Sequence, residues 1–169
     1  MPQGRTFTDA YVHRIVDDEL DELFGQLPAI LLDGPKATGK TATALQRATT
    51  VRRLDVAAER TVVEADPSVI AGDDRPVLLD EHQRVPSVWD AVKRLVDEDP
   101  SGSQFLLTGS QPTGATHSGA GRIATLRMRP LTLHERGIGE ATVSLSALLE
   151  GDRPPMTGRT DVDLATYVE

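Results

Sequence analysis

The chain has 169 residues, of which 38% are hydrophobic and 26% charged, with no cysteine and a formal net charge of −8; that is enough for one domain with a real core and a tail, not for two large ones. The acidity excludes a surface that coats DNA or RNA over its whole extent, while a local basic site leaves a nucleic-acid contact open. The lack of cysteine excludes disulfides and thiolate zinc sites and suits a reducing cytoplasm, and the start Met1-Pro2-Gln3-Gly4-Arg5 reaches acidic residues before any apolar run, so a cytoplasmic chain with no signal peptide and no membrane partner is expected.

In chain order, residues 8–25 predict an amphipathic helix. Tyr11, Ile15, Leu20, Leu23 and Phe24 fall near helical spacing, and Asp17, Asp18, Glu19, Asp21 and Glu22 between them read as a solvated face. A strand over 29–33 follows, then a glycine-bounded loop and a helix over 40–49. Arg52-Arg53-Leu54-Asp55 is a weaker second strand, leading into a helical stretch that ends near Ala65 and breaks at Asp66-Pro67. Val77-Leu78-Leu79-Asp80, set off by Pro76, suits a buried parallel strand. Residues 87–97 form a helix carrying Val88, Trp89, Val92, Leu95 and Val96, and Phe105-Leu106-Leu107-Thr108 is the next buried strand. The Gly/Ser/Thr-rich residues 109–121 read as a mobile loop. Residues 122–128 are expected as a last strand and 130–136 as a short helix; beyond Gly137 the pattern weakens, and Asp152-Arg153-Pro154-Pro155 has linker composition. Strands alternating with helices imply an α/β fold, a parallel sheet of about five strands covered on both faces, with its ligand site at the strands' C-terminal edge.

The loop between the first strand and helix carries the most chemistry. It reads Gly34-Pro35-Lys36-Ala37-Thr38-Gly39-Lys40-Thr41. Gly34 and Gly39 allow tight turns in which successive N–H groups point at phosphate oxygens. Lys40, at the helix start, can reach the β and γ phosphates, and Thr41 offers a hydroxyl to Mg²⁺. Nucleotide contacts are therefore expected from Gly34, Pro35, Lys36, Ala37, Thr38, Gly39, Lys40, Thr41 and Ala42. Forty residues past Lys40, a buried strand ends in Asp80-Glu81. A carboxylate leaving such a strand is costly unless it is used; Asp80 is placed to hold Mg²⁺ opposite Thr41, and Glu81 to polarise the water attacking the γ phosphate.

Other residues keep more than one reading. His82 is a metal ligand or a packing residue. Thr108 and Ser110, in Thr108-Gly109-Ser110-Gln111, either face the γ phosphate and orient water or make an ordinary turn. Arg122, Arg127 and Arg129 pair with the acidic first helix, contact nucleic acid, or supply an arginine finger.

Together the runs Ile30-Leu31-Leu32-Asp33-Gly34-Pro35, Leu78-Leu79-Asp80-Glu81-His82-Gln83-Arg84-Val85-Pro86, Phe105-Leu106-Leu107-Thr108-Gly109-Ser110, Gly121-Arg122 and Pro130-Leu131-Thr132-Leu133-His134-Glu135 resemble prokaryotic AAA-type ATP-binding proteins that carry a C-terminal domain of unknown function. The resemblance spans about residues 10–136. It implies a P-loop NTPase fold that binds ATP and Mg²⁺, with Lys40 and Thr41 in the Walker A role, Asp80 and Glu81 in Walker B, Thr108 or Ser110 as sensor, and a function for Arg122. His82 departs from the pattern, where an aliphatic residue is usual. Relatives of this kind continue into a second domain, so residues 1–137 are expected to be the ATPase domain and 138–169 a linker or the start of a missing domain, which a separately encoded protein partner would replace. The expected activity is Mg²⁺-dependent ATP hydrolysis. The alternative is a nucleotide-binding switch or truncated module without turnover, and a small-molecule kinase ranks last because Asp80-Glu81 favours water as acceptor.

Overall fold

Three short apolar runs, Ala29–Asp33, Val77–Asp80 and Phe105–Gly109, bury on both faces and so become interior parallel strands rather than half-exposed ones. The computed structural model describes residues 11–110, 121–138, 142–155 and 157. In order these form α1 (Ile15–Gln26), β1 (Ala29–Asp33), α2 (Lys40–Leu45), β2 (Thr50–Arg53), α3 (Ala57–Ala65), β3 (Val77–Asp80), α4 (Ser87–Glu98), β4 (Phe105–Gly109), β5 (Ala124–Arg127) and α5 (Leu145–Leu149), with 3₁₀ turns at Pro67–Gly72 and His82–Arg84. The residues up to Pro130 make one compact unit and those from Leu131 another.

The sheet has five strands in the order β2-β3-β4-β1-β5, every pair parallel. This is the α/β, P-loop-like arrangement expected. Register sets the two cores, because alternate residues of a strand face opposite sides. Ala29, Leu31, Val77, Leu79, Phe105 and Leu107 face a cluster with Val63 of α3 and Val88, Trp89 and Val92 of α4. Ile30, Leu32, Leu78 and Leu106 face the other, with Leu20 and Phe24 of α1, Ala44 of α2 and Met128. Each fully buried Leu among them contributes about 1.5–3 kcal/mol, so no strand can slip by one residue without exposing one whole set.

Several boundaries differ from expectation. Tyr11 to Arg14 is not helical: the backbone N–H of Arg14 donates to the Asp17 carboxylate at 2.6 Å, which stops α1 at Ile15. Residues 8–10 of the expected helix lie outside the described residues. The helix after the loop ends at Leu45 instead of 49, because the Thr49 N–H turns to the Pro76 carbonyl at 2.8 Å and starts the sheet. Strand β2 accordingly sits two residues earlier than Arg52-Arg53-Leu54-Asp55, and Leu54 is fully buried beyond its end. Residues 130–136 form turns rather than a helix, closed by Thr132, whose N–H and hydroxyl both donate to Glu135. Helix α5 was not expected; Ser144 caps it. Residues 111–120 of the expected loop lie outside the described residues, and 152–155 have no regular structure.

Candidate functional site

Strand β4 lies between β3 and β1, so the C-terminal ends of all three meet at one edge. The loop leaves β1 there. Gly34 is required by close approach: a Cβ at this position would lie 2.3 Å from the Met128 carbonyl oxygen. The Met128 N–H in turn donates to Asp33 O at 2.7 Å, so the chain just past β5 walls the start of the loop. Gly39 (φ 90°) and Ala37 (φ 62°) both take left-handed conformations, which costs roughly 1–2 kcal/mol at the alanine and is common where function holds a loop in place. The Thr38 hydroxyl donates to Pro35 O at 2.9 Å and closes the turn.

Lys40 is 5% exposed, and its ammonium donates to Gly34 O at 2.8 Å and Pro35 O at 2.6 Å. Burial pushes its pKa down, while the charges of Glu81, Asp33 and Asp80 pull it back up. The buried ammonium is held by loop carbonyls and stabilised by three nearby carboxylates, a charge balance that is net negative before any ligand is added.

Asp80 Oδ1 accepts two hydroxyls, from Thr41 at 2.7 Å and from Thr108 at 2.6 Å. The Thr108 oxygen also accepts the backbone N–H of Glu81 at 3.0 Å. Thr108 has a single proton and it goes to Asp80, so this residue braces the carboxylate rather than facing outward. Glu81 itself has φ 57° and ψ 46°, a left-handed conformation that turns its side chain out of the strand line. Its carboxylate accepts the Gln83 amide at 2.5 Å. His82 is buried and its ring packs on Trp89, with centroids 5.5 Å apart. Among the described residues no group of three or more His, Cys, Asp or Glu is placed to hold a metal.

The structure thus brings together Gly34, Pro35, Thr38, Gly39, Lys40, Thr41, Asp80, Glu81 and Thr108. Lys36 and Ala37 are exposed at the loop tip, Ala42 lies half-buried in the first turn of α2, and Ser110 is half-buried just past β4. Arg122 is elsewhere. It precedes β5, whose direction matches β1, so it sits at the sheet edge opposite the loop, and its guanidinium pairs with Asp97 near the end of α4.

Two site residues were missed from sequence. Gln83 stood next to the expected base without a role, and only the 3₁₀ turn at His82–Arg84 folds it back onto Glu81. Arg14 lay inside an expected helix; its guanidinium donates to Thr38 O at 2.7 Å and Arg129 O at 2.8 Å. The reading of the acidic run as a solvated face is corrected for Asp17, which is 1% exposed and paired with Arg47 at 3.0 Å.

Residues 26–136 match the family model described as an AAA domain. The chain belongs to this AAA-domain family. The family is ATP-binding and ATPase-like, and in this AAA domain the loop and both carboxylates lie inside the matched segment. The chain is also 29% identical over 148 residues to the uncharacterized proteins Rv2008c of Mycobacterium tuberculosis (strain H37Rv) and Mb2031c of Mycobacterium bovis. Those matches cover 83% of this chain, and the chain spans about a third of its relatives' length, 33% of each. No helix among the described residues is long and apolar enough to cross a membrane.

Proposed function

We propose that this AAA domain binds Mg·ATP and hydrolyses its β–γ phosphoanhydride. The observation that carries the reading is the buried Lys40 ammonium, hydrogen-bonded to loop carbonyls, beside a Thr41–Asp80–Thr108 cluster and the Glu81 carboxylate. Lys40 sits where the loop turns its backbone toward a phosphate, and the carboxylates around it call for a divalent cation to accompany the anionic substrate. The hydroxyl of Thr41 and carboxylate of Asp80, two hard oxygens already in contact, fit Mg²⁺, which takes one or two protein oxygens and completes its shell with water and phosphate. When bound, Mg²⁺ neutralises charge on the β and γ oxygens.

The residues then divide the work. Lys40 holds the β and γ phosphates in place. Thr108 fixes the rotamer of Asp80, so that carboxylate does not swing toward Lys40. Glu81 accepts a proton from the attacking water as its oxygen bonds to the γ phosphorus; the bridging bond breaks toward ADP, and phosphate leaves with the transferred oxygen. Gln83 fixes the direction of the Glu81 carboxylate. Water is the acceptor in this reading because Glu81, next to the Asp80 that would hold Mg²⁺, offers a carboxylate to take its proton.

A binding module without turnover is the second reading, favoured by the Gln83 contact that occupies one oxygen of Glu81. Steady-state phosphate release on the purified chain, with Lys40→Ala as the blank, separates the two. Mg²⁺-dependent release above that blank supports hydrolysis. Calorimetric Mg·ATP binding with release equal to the blank selects the switch, and unchanged Mg·ATP affinity in folded Lys40→Ala overturns both. A separately encoded C-terminal protein is proposed as the partner that takes up the nucleotide cycle of this unit.

A further inference from the structure

Among the described residues Arg14 is the one arginine that is almost fully buried, at 6% exposure, and it lies outside every regular element. Its two terminal nitrogens go to two backbone carbonyls that are far apart in sequence, Thr38 in the phosphate loop and Arg129 just past β5. The guanidinium is also packed against the loop's second glycine: a Cβ on Gly39 would lie 3.3 Å from the Arg14 nitrogen that bonds Thr38. Arg14 is itself fixed, since its backbone N–H is held by Asp17 at 2.6 Å.

The geometry of a trans peptide makes this contact consequential. The Thr38 carbonyl and the Gly39 N–H belong to one planar unit and point in opposite directions. A cation that holds the carbonyl from outside therefore turns the Gly39 N–H away from Arg14, the orientation a phosphate cradle needs. Withdrawing electron density through the carbonyl also strengthens that N–H as a donor. The guanidinium fork gives each carbonyl its own nitrogen, whereas a lysine here would have to serve both from one nitrogen.

We propose that Arg14 is a positioning residue that presets the phosphate loop for its ligand, by pinning the Thr38–Gly39 peptide to the backbone beyond β5. The inference rests on the reading of the loop as an ATP site. It assigns a role to the extended segment before α1, which the phosphate-loop and carboxylate motifs do not include.

Calorimetric titration with Mg·ATP and with inorganic tripolyphosphate, on the wild type, Arg14→Lys, Arg14→Gln and Lys40→Ala, tests it alongside thermal melts. Arg14→Gln should weaken both ligands by roughly 10- to 100-fold, the scale of a hydrogen bond to a charged group. Arg14→Lys should fall between, because a lysine keeps the charge but must serve both carbonyls from a single nitrogen. Tripolyphosphate must lose as much as ATP, since the effect is on the cradle and not on the base. If Arg14 merely fastens α1 to the sheet, melting temperatures drop while the affinities of the folded variants stay at the wild-type value, and the inference is overturned. Where Arg14→Gln does not fold, Arg14→Lys carries the same comparison. A wild type that binds neither ligand overturns the ATP reading itself; a wild type that binds, with Lys40→Ala that does not and Arg14 variants that bind normally, removes only the role of Arg14.

Discussion

Glu81 occupies a left-handed backbone conformation that a strand end does not require, with the Thr108 hydroxyl on its N–H and the Gln83 amide on its carboxylate. The conformation is maintained by contacts on both sides of the residue, so the direction of the carboxylate is set before any ligand arrives. Removing the charge and removing its support should then have different signatures. Glu81→Gln keeps the shape and is expected to retain Mg·ATP binding while turnover falls by about 10² to 10⁴, the usual scale of general-base catalysis. Gln83→Ala leaves the carboxylate but frees its rotamer, so kcat should drop by less, about tenfold, with KM unchanged. Rapid-quench and steady-state rates on the two variants check this; equal losses would mean that Gln83 acts through something other than Glu81.

At the scale of elements, α1 and α2 are joined by a polar clasp. The Tyr11 hydroxyl lies 2.7 Å from Asp17 and 2.8 Å from Thr43, and Arg47 pairs with both Asp17 and Asp21. Burial, followed by the neighbouring Asp17 carboxylate, pushes the Tyr11 phenol up to about 12 from its usual 10.0. The sign follows from linkage: the folded form keeps a proton that the unfolded chain releases, so the stabilisation is complete below pH 10 and is lost as pH rises from 10 toward 12. Urea midpoints measured across that window should fall in the wild type and fall less steeply in Tyr11→Phe; parallel slopes would place the alkaline loss elsewhere. None of this clasp was legible, because Asp17 looks like any member of an acidic run until its partners from α2 are known. The loop and Asp80-Glu81 were legible because their chemistry is local, fixed by adjacent residues. Arg14 and Gln83 were not, since each acquires meaning only through contacts to a carbonyl or carboxylate that the chain's path brings near. The strands themselves were readable from apolar runs, and β2 slipped by two residues because Thr50 and Val51 are only half-buried at the sheet edge and carry a weak signal.

For the molecule as a whole, the sheet order puts β1 between two strands made much later, β4 and β5. It also separates Arg122 from the loop by the length of a strand, since β5 starts at the opposite edge. Within one chain, Arg122→Ala should leave both Mg·ATP affinity and turnover at the wild-type value and cost little stability, as exposed ion pairs do. Specific activity that rises with protein concentration in the wild type, and stays flat in Arg122→Ala, would show instead that the residue reaches a neighbouring molecule. The same ordering has a consequence during synthesis. The loop that follows Asp33 is walled by Met128 and tied through Arg14 to Arg129, and Met128 is translated 95 residues after Asp33. At about 5–20 residues per second that is an interval of roughly 5 to 20 s, in which a nascent chain carries every residue of the loop and none of its wall. On the ATP-site reading, the wall of the loop is complete only once β5 has been made, so a ligand of the loop stabilises chains whose sheet is complete.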